Sequence, residues 1–498
     1  SSSLTEALKA DTVFILGSKV DDENPVTDYI LRRVVSNKLT TLITATPRNL
    51  RLDTQAKVTL RYLPGNEGGL LSAILDGITK EDRNGILKNS FPDSADFKKS
   101  LAGFSTETAI NSIGASKEGI DNAVKELLKS KKISFFVGMD ALRFPEASET
   151  IKGISNLISI LESFNREIVA VHFLMDRCNQ KGAWDMGVLP NLLPGYIKTD
   201  DEKGRVSLEE LWGAKIPVDE GADVHKMLQG ALEGKLRVLY IAGADPVTMY
   251  PDGEFVKKAL SKLEMLIVQD TFHTETARYA HVVLPGTTFA EKDGAITSSE
   301  GRVQRIKKVF NPSFETRNDI EIFKEVAGTL GAELTPATSR EVFNEIQKVV
   351  PAYEGIEEGG LTSGSFNGNG KGELYISEYS GVQKEENAFP YYLTTGNHLF
   401  HSGVISQEAD TLKGLLHEPF VGISREDVAL LDLKEGTSVR VIAENGNELI
   451  LKVKVDRYLP KGIVFIPENF KESRINLLLK KDNRPPCVKV LKVTDDVA

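Results

Sequence analysis

Two cysteines and seven histidines bound the metal and redox chemistry open to this chain. Cys178 and Cys487 lie far apart, and an iron–sulfur cluster takes four thiolates, so the chain cannot hold one unaided. A structural zinc site would have to draw its remaining ligands from histidine, and no C-x2-C spacing is present. A disulfide framework is excluded too, which fits a reducing compartment. The histidines are 172, 225, 273, 281, 398, 401 and 417. His398 and His401, three apart in TTGNHLFHSG, would make a ligand pair if that stretch were helical. Such pairs more often make backbone hydrogen bonds in a loop, and no carboxylate or cysteine stands beside them. His273 and His281, flanking Thr271 to Thr276, read as part of a helix entry.

The loop AEKDGAITSSEGRVQ, Ala290 to Gln304, gathers Glu291, Lys292, Asp293, Glu300 and Arg302 around two glycines. Those groups suit acid–base catalysis, and they equally suit a buried polar network that fixes a long loop. Both readings stay open at this point. There is no G-x-S-x-G nucleophile elbow, no G-x-G-x-x-G turn and no Walker A sequence.

The elements that would position a site alternate between helix and strand. Residues 3–11 read as an amphipathic helix, followed by an apolar strand from Thr12 to Leu16 and then Gly17. A helix from about Pro25 to Asn37 and a strand from Thr40 to Thr44 come next, and helix 117–130 leads into Ile133 to Met139. Short apolar runs ending in glycine mark buried parallel strands, so this is a doubly wound α/β layer. A second α/β unit starts near 168, clearest at LRVLYIAGADP and LEMLIVQD behind helices 222–233 and 252–263. Ligands bind at the carboxyl ends of such strands. The candidate positions are Gly17-Ser18, Thr46-Pro47-Arg48, Gly138-Met139, Gly243-Ala244-Asp245-Pro246 and Gln269-Asp270. The plainer reading of each glycine is a tight strand-to-helix turn.

Residues 355–372 are rich in Gly, Ser and Asn and read as a flexible connection or surface loop. Beyond about 388 the pattern turns to strands, with a hairpin signal at Asn445-Gly446 and a further strand, GIVFIP, in a compact β-barrel of about 110 residues. The expected organisation is thus 1–167, 168–350, a connection over 351–388, and a barrel over 389–498. The whole chain has 498 residues, 41% of them apolar, in line with about three domains of roughly 150 residues. Its net charge of −10 argues against general nucleic-acid binding, which needs a basic footprint. No apolar run reaches the length of about 18 residues that spans a membrane. The opening Ser-Ser-Ser lacks Met or a signal-type apolar core, so a fragment or a processed chain is expected.

In combination these stretches resemble the molybdopterin oxidoreductase superfamily. AHVVLPGTTFAEKDGAITSSEGRVQ matches its "vvLP…t…E.dGt.tn.EGR.Q" signature. ALKADTVFILGSKVDDENPV resembles its helix–strand–glycine unit, and TPRNLRLDTQAKVTLRYLPG its "DPR…T…A…PG" stretch. NQKGAWDMGVLPNLLPGY is similar to its "N..Ga.dmG.lP…PGy" loop, YIAGADP to its "GaNP" turn, and the segments around TTGNHLFHSGVISQEADTL and SREDVALLDLKEGTSVRV to its C-terminal barrel. The likeness runs over nearly all of residues 5–495. It implies two Rossmann-like parallel-sheet units of the formate dehydrogenase/DMSO reductase type followed by a double-psi β-barrel. Within the superfamily the likeness is to the C-terminal part of the G-subunit family of bacterial NADH-quinone oxidoreductase, respiratory complex I.

That resemblance implies a structural part of the hydrophilic arm, beside the other hydrophilic-arm subunits, cytoplasmic and peripheral to the inner membrane through the complex. No cofactor and no catalytic residue would belong to this chain, and the Fe–S clusters would sit in an amino-terminal part outside it. The alternative is a fragment of a molybdenum or tungsten enzyme such as formate dehydrogenase, holding a bis-molybdopterin guanine dinucleotide. In that case Gly17, Ser18, Arg48, Gly243, Asp245, Asp270, Thr395, Gly396, His398 and His401 would line the cofactor. The residues themselves depart from the enzyme pattern. The family's "DPR" acid is Thr46 here, beside retained Pro47 and Arg48, and a neutral hydroxyl cannot accept two guanine N–H donors as a carboxylate does. Asp270 keeps the second nucleotide's acid. Arg177 falls about two residues from the spacing of the formate dehydrogenases' active-site arginine, so that role is not carried over.

Overall fold

Thr12–Leu16 (β1) is buried along its whole length, the outcome expected of an apolar run in the middle of a parallel sheet covered on both faces. The computed structural model describes residues 3–37, 40–144, 147–312, 314–357, 360–362, 374–379, 388–401, 403–415, 418–468, 470, 472–480 and 485–493. They fall into two compact units, one of residues 2–176 with 365–498 and one of residues 177–364.

In the first unit, Leu4–Ala7 (α1) is opened by a capping box between Ser3 and Glu6. After β1 come Pro25–Ser36 (α2), Thr41–Ala45 (β2), Val58–Leu60 (β3), Glu67–Lys80 (α3), Lys117–Lys129 (α4), Lys132–Gly138 (β4), Ala147–Ser163 (α5) and Glu167–Leu174 (β5). The five strands are parallel in the order β3-β2-β1-β4-β5. The chain leaves β1 in one direction and returns on its other side, so the switch point of this doubly wound sheet lies between β1 and β4. One face is packed by Leu70, Ile74, Ile120, Leu127 and Leu157, the other by Ala7, Leu31 and Val35.

The second unit begins later than the sequence reading placed it. The apolar run near 168 is β5, which pairs with β4 and closes the first sheet. An edge strand of a parallel sheet carries the same apolar pattern as the first strand of a new one, and only pairing separates them. The second unit's own sheet is β8-β7-β6, three parallel strands Val282–Pro285 (β8), Met265–Asp270 (β7) and Val238–Ala242 (β6). Val224–Leu232 (α6) and Gly253–Leu260 (α7) bury Leu228, Val256 and Leu260 against it, and Phe323 of Asp319–Thr329 (α8) meets Tyr240. An antiparallel pair, Gly294–Thr297 (β9) and Val303–Ile306 (β10), carries the long charged loop.

The carboxyl-terminal strands Tyr391–Gly396 (β11), Phe420–Ile423 (β12), Ser438–Ala443 (β13), Glu448–Val455 (β14), Ile463–Pro467 (β15) and Cys487–Lys492 (β16) close a six-stranded barrel in the order β11-β15-β12-β14-β13-β16. The Asn445-Gly446 turn joins β13 to β14 as an antiparallel hairpin, with Gly446 at φ +83. Most of the Gly-rich stretch 355–372 lies outside the described residues, as does His417. Its C-terminal flank is anchored: Leu374 enters the core beneath α3 and α5, and the Tyr375 backbone exchanges hydrogen bonds with the Asn156 side chain at 2.8 and 2.9 Å.

Candidate functional site

The crevice at the β1/β4 switch point is closed by the chain itself. Gly17 stands at φ +61, where a side chain is strained, and a Cβ there would lie 2.4 Å from that of Ala141. A Cβ on Gly138 would lie 2.1 Å from the Gly17 carbonyl oxygen. Around these touching loops runs a ring of charge. Glu23 accepts hydrogen bonds from the Ser18 hydroxyl at 3.1 Å and the Lys19 amide at 2.9 Å. Arg48 donates through Nη2 to Glu23 at 2.9 Å and to Asp140 at 3.4 Å, and the Glu23 and Arg48 side chains are each only 5% exposed. Arg143 pairs with Asp140 at 2.8 Å, with Glu468 at 2.7 Å and with Asp176 at 3.7 Å.

The ring joins sheet to barrel within this unit. Arg143 and the Thr395 hydroxyl both donate to Glu468, the Glu468 amide donates to the Gly396 carbonyl at 2.9 Å, and the Arg48 guanidinium lies 4.6 Å from the centre of the Phe465 ring. Burial pushes the Glu23 carboxyl up to about 8, helped by Asp140 and opposed by Arg48 and Arg143. Behind the ring, burial also pushes Glu67 up to about 8. Thr46 is turned inward: its hydroxyl donates to the Arg48 carbonyl at 2.6 Å and accepts from Arg61 at 3.2 Å.

Gly17, Ser18, Arg48, Thr395 and Gly396 are thus brought together. His398 and His401 are not added to them as ligands. Each backbone amide donates to the other's carbonyl across a tight turn, the loop arrangement the sequence favoured. Their rings pack on Phe420 and Phe470, and burial lowers the His398 pKa. Among the described residues no group of three or more His, Cys, Asp or Glu could hold a metal ion. Glu23, Asp140, Arg143 and Glu468 were not singled out from sequence, although Glu23, Asp140 and Arg143 each follow a strand-end glycine by a few residues.

The strand ends of the second unit are built differently. Gly243 has nearly the same backbone as Gly17, φ +63, yet a Cβ there would meet nothing within 4 Å. Asp245 is buried beside it and fully engaged, accepting from the Thr276 amide and hydroxyl at 2.9 and 2.5 Å and from Thr248 at 2.8 Å. It fixes the turn. Asp270, at the tip of β7, accepts from the Phe272 amide at 3.2 Å, and partial burial raises its pKa. The loop that left two readings open holds itself in place. Glu291 caps Thr288, Asp293 accepts from the Lys308 amide, Glu300 pairs with Arg302, and Lys292 pairs with Asp319. His281 accepts the Leu266 amide through Nδ1 at the opposite end of the sheet.

Two parallel strand-edge clefts and a closed barrel define a class, and comparison with known proteins agrees. The molybdopterin oxidoreductase family matches residues 106–329 and the molydopterin dinucleotide binding domain matches 391–492. The chain belongs to the molybdopterin oxidoreductase family. It is 36% identical over 488 residues to the second G subunit of the NADH-quinone oxidoreductase of Rhizobium meliloti (strain 1021), covering 98% of this chain and 56% of that protein. It is 32% identical over 500 residues to the alpha subunit of the F420-dependent formate dehydrogenase of Methanocaldococcus jannaschii, covering 94% of this chain and 73% of that one. Among solved structures, acetylene hydratase from Pelobacter acetylenicus shares the fold, with a TM-score of 0.76 at 16% identity over 99% of this chain and 79% of that chain. The chain therefore spans just over half of the first of these relatives and about three quarters of the second.

The family name implies a pterin dinucleotide, and the two edges answer that differently. At the β1/β4 edge the glycine cradle is filled by Ala141, Arg48 is already bound by Glu23 and Asp140, and Arg143 pairs with Asp140, Asp176 and Glu468. An anionic nucleotide does not fit there. At the β7 edge the open Gly243 turn and the Asp270 carboxylate do fit one nucleobase with adjacent N–H donors.

Proposed function

We propose that this chain is the molybdopterin-oxidoreductase-like body of a G-type subunit of an NADH-quinone oxidoreductase, a structural part without its own molybdenum cofactor. It would sit on the cytoplasmic side with the other hydrophilic-arm subunits, held to the membrane through the complex, while electrons pass from NADH toward quinone through centres carried elsewhere. Two cysteines cannot complete a four-thiolate cluster, so such centres would have to come from other sequence. No described helix is long and apolar enough to cross a membrane.

The observation that carries this reading is the self-filled switch-point crevice. Glu23 and Asp140 hold Arg48, the strand-end cation that would otherwise be open to an anionic ligand. The second reading, part of a molybdenum or tungsten enzyme of the formate dehydrogenase kind, draws on the Asp270 edge, which keeps the features of a nucleotide site. Metal analysis and oxidised-pterin fluorescence on the full-length protein, purified with whatever subunits accompany it, separate the two. We expect neither molybdenum nor tungsten above trace and co-purification with NADH dehydrogenase subunits. Close to one atom of either metal per chain would overturn the structural reading.

A further inference from the structure

We propose that the groove between α3 and α5 is a recognition site for an extended peptide, filled in this structure by the chain's own residues 374–379, LYISEY. These six residues belong to no helix or strand. Side chains of the groove, rather than a ladder or a helical turn, satisfy their backbone. Asn156 on α5 accepts from the Tyr375 amide at 2.9 Å and donates to its carbonyl at 2.8 Å, the exchange a neighbouring strand would make. Ser100, on the helix Ser94–Leu101, accepts from the Ser377 amide at 3.3 Å, and Glu149 accepts from the Glu378 amide at 3.0 Å. Main-chain hydrogen bonds of this kind hold any extended segment, and the pockets between them select side chains.

The pockets read both ends of the segment. Leu374 is buried in the core under α3 and α5. At the other end the Tyr379 ring lies against Gly68 and Gly69, where a Cβ would stand 3.1 and 2.6 Å from it, so a side chain at Gly69 would exclude the ring. The Tyr379 hydroxyl donates to Asn66 at 2.5 Å, and the ring meets that of Phe104 with centroids 6.1 Å apart. Between the ends, the Glu378 carboxylate meets Lys152 at 3.3 Å, and Lys152 is itself held by Glu149 at 2.7 Å. The Ser377 hydroxyl lies 3.1 Å from that of Ser72. Tyr375 and Ile376 stay exposed. The ligand class is thus an extended peptide with a leucine, an acid four residues on, and a tyrosine directly after the acid. With two anchors and a backbone held by three side chains, release of the segment costs far less than unfolding the sheet, which separates a docked ligand from core.

Removing the two anchors frees the groove for the same sequence supplied from outside. The probe is a labelled peptide of residues 372–381, GELYISEYSG, offered to the full chain carrying Leu374→Asp and Tyr379→Ala. We expect saturable binding by fluorescence anisotropy. At about 1 mM peptide, amide exchange at the start of α3 and of α5 should slow at least about fivefold. The wild-type chain should bind at least about tenfold more weakly, because its own segment competes at a high effective concentration. A scrambled peptide, or one carrying the same two substitutions, should not bind. A folded variant, with β1 and β4 protected as in the wild type, that ignores the peptide overturns the proposal. Equal binding of the scrambled sequence, or equal binding to the wild type, does the same. If the variant does not fold, the wild-type chain decides. A docked segment opens locally, so the Tyr375, Ser377 and Glu378 amides should exchange at least about 100-fold faster than those of β1 and β4, each referenced to its intrinsic rate. Exchange in step with β1 and β4 would make residues 374–379 part of the core and refute the recognition site.

Discussion

Gly17 and Gly243 occupy equivalent places, each ending an apolar parallel strand in a left-handed turn, and their surroundings are opposite. Ala141 backbone and side chain press on Gly17, whereas open space faces Gly243. The acids that follow differ in the same way. Glu23 and Asp140 bind a buried arginine, whereas among the described residues Asp270 presents a carboxylate held by backbone amides. One helix–strand–glycine unit can thus end in a sealed seam or an open edge, and a handful of side chains beyond the glycine decides which. Family membership specifies the scaffold, and those side chains specify whether a ligand can enter.

The sharpest way to break the comparison is the same substitution at both glycines. Gly17→Ala combines a left-handed backbone with atoms that cannot retreat, and should cost about 4 kcal/mol or prevent folding of its unit. Gly243→Ala meets only the backbone strain and should cost about 1 kcal/mol. Amide exchange in β1 and in β6 measures each unit by its own strands, and equal losses would dissolve the contrast. Arg48→Ala comes next. Removing one partner of a buried pair should cost about 3 kcal/mol at pH 8 and less at pH 6, where Glu23 is protonated. A urea series at both pH values checks this, and a pH-independent loss would mean that Arg48 acts by packing on Phe465 instead. Asp245→Ala should cost about 2 kcal/mol by stranding the Thr276 donors.

What could be read beforehand follows the range of the interactions. The β1, β2 and β4 runs, the Asn445-Gly446 hairpin and the loop role of His398 and His401 are local patterns, legible within a dozen residues. The assignment of β5 was not, because pairing with β4 is a long-range fact that an apolar run does not encode. The charged ring was harder still. Arg48 could be marked as a strand-end residue, and Thr46 as a departure from the family's acid. Nothing near Arg48 announces that its partners come from residues 23 and 140. The same distance hides the partners of loop 290–304, where Lys292 meets Asp319 and Asp293 accepts from the Lys308 amide.

The smallest expected effect is the one that best sharpens the comparison. Asp270→Asn keeps an acceptor for the Phe272 amide, so stability should change by no more than about 0.5 kcal/mol at neutral pH. The sign has a pH signature. Burial raises the Asp270 carboxyl, so the wild type loses a little stability as pH climbs through that raised value, and the amide variant does not. The variant should therefore gain on the wild type as pH rises above the ordinary carboxylate value of 3.8. Guanosine monophosphate supplies the other half of the measurement. An open edge with an unshared carboxylate can accept two adjacent N–H donors, whereas the amide of the variant would meet them with one oxygen and an opposing NH2 group. The nucleotide should slow amide exchange around Asp270–Phe272 in the wild type and not in Asp270→Asn, and should leave the Glu23–Arg48 seam unchanged in both. Protection at that seam would mean that the crevice opens to ligands after all, and the two edges would then differ in degree only.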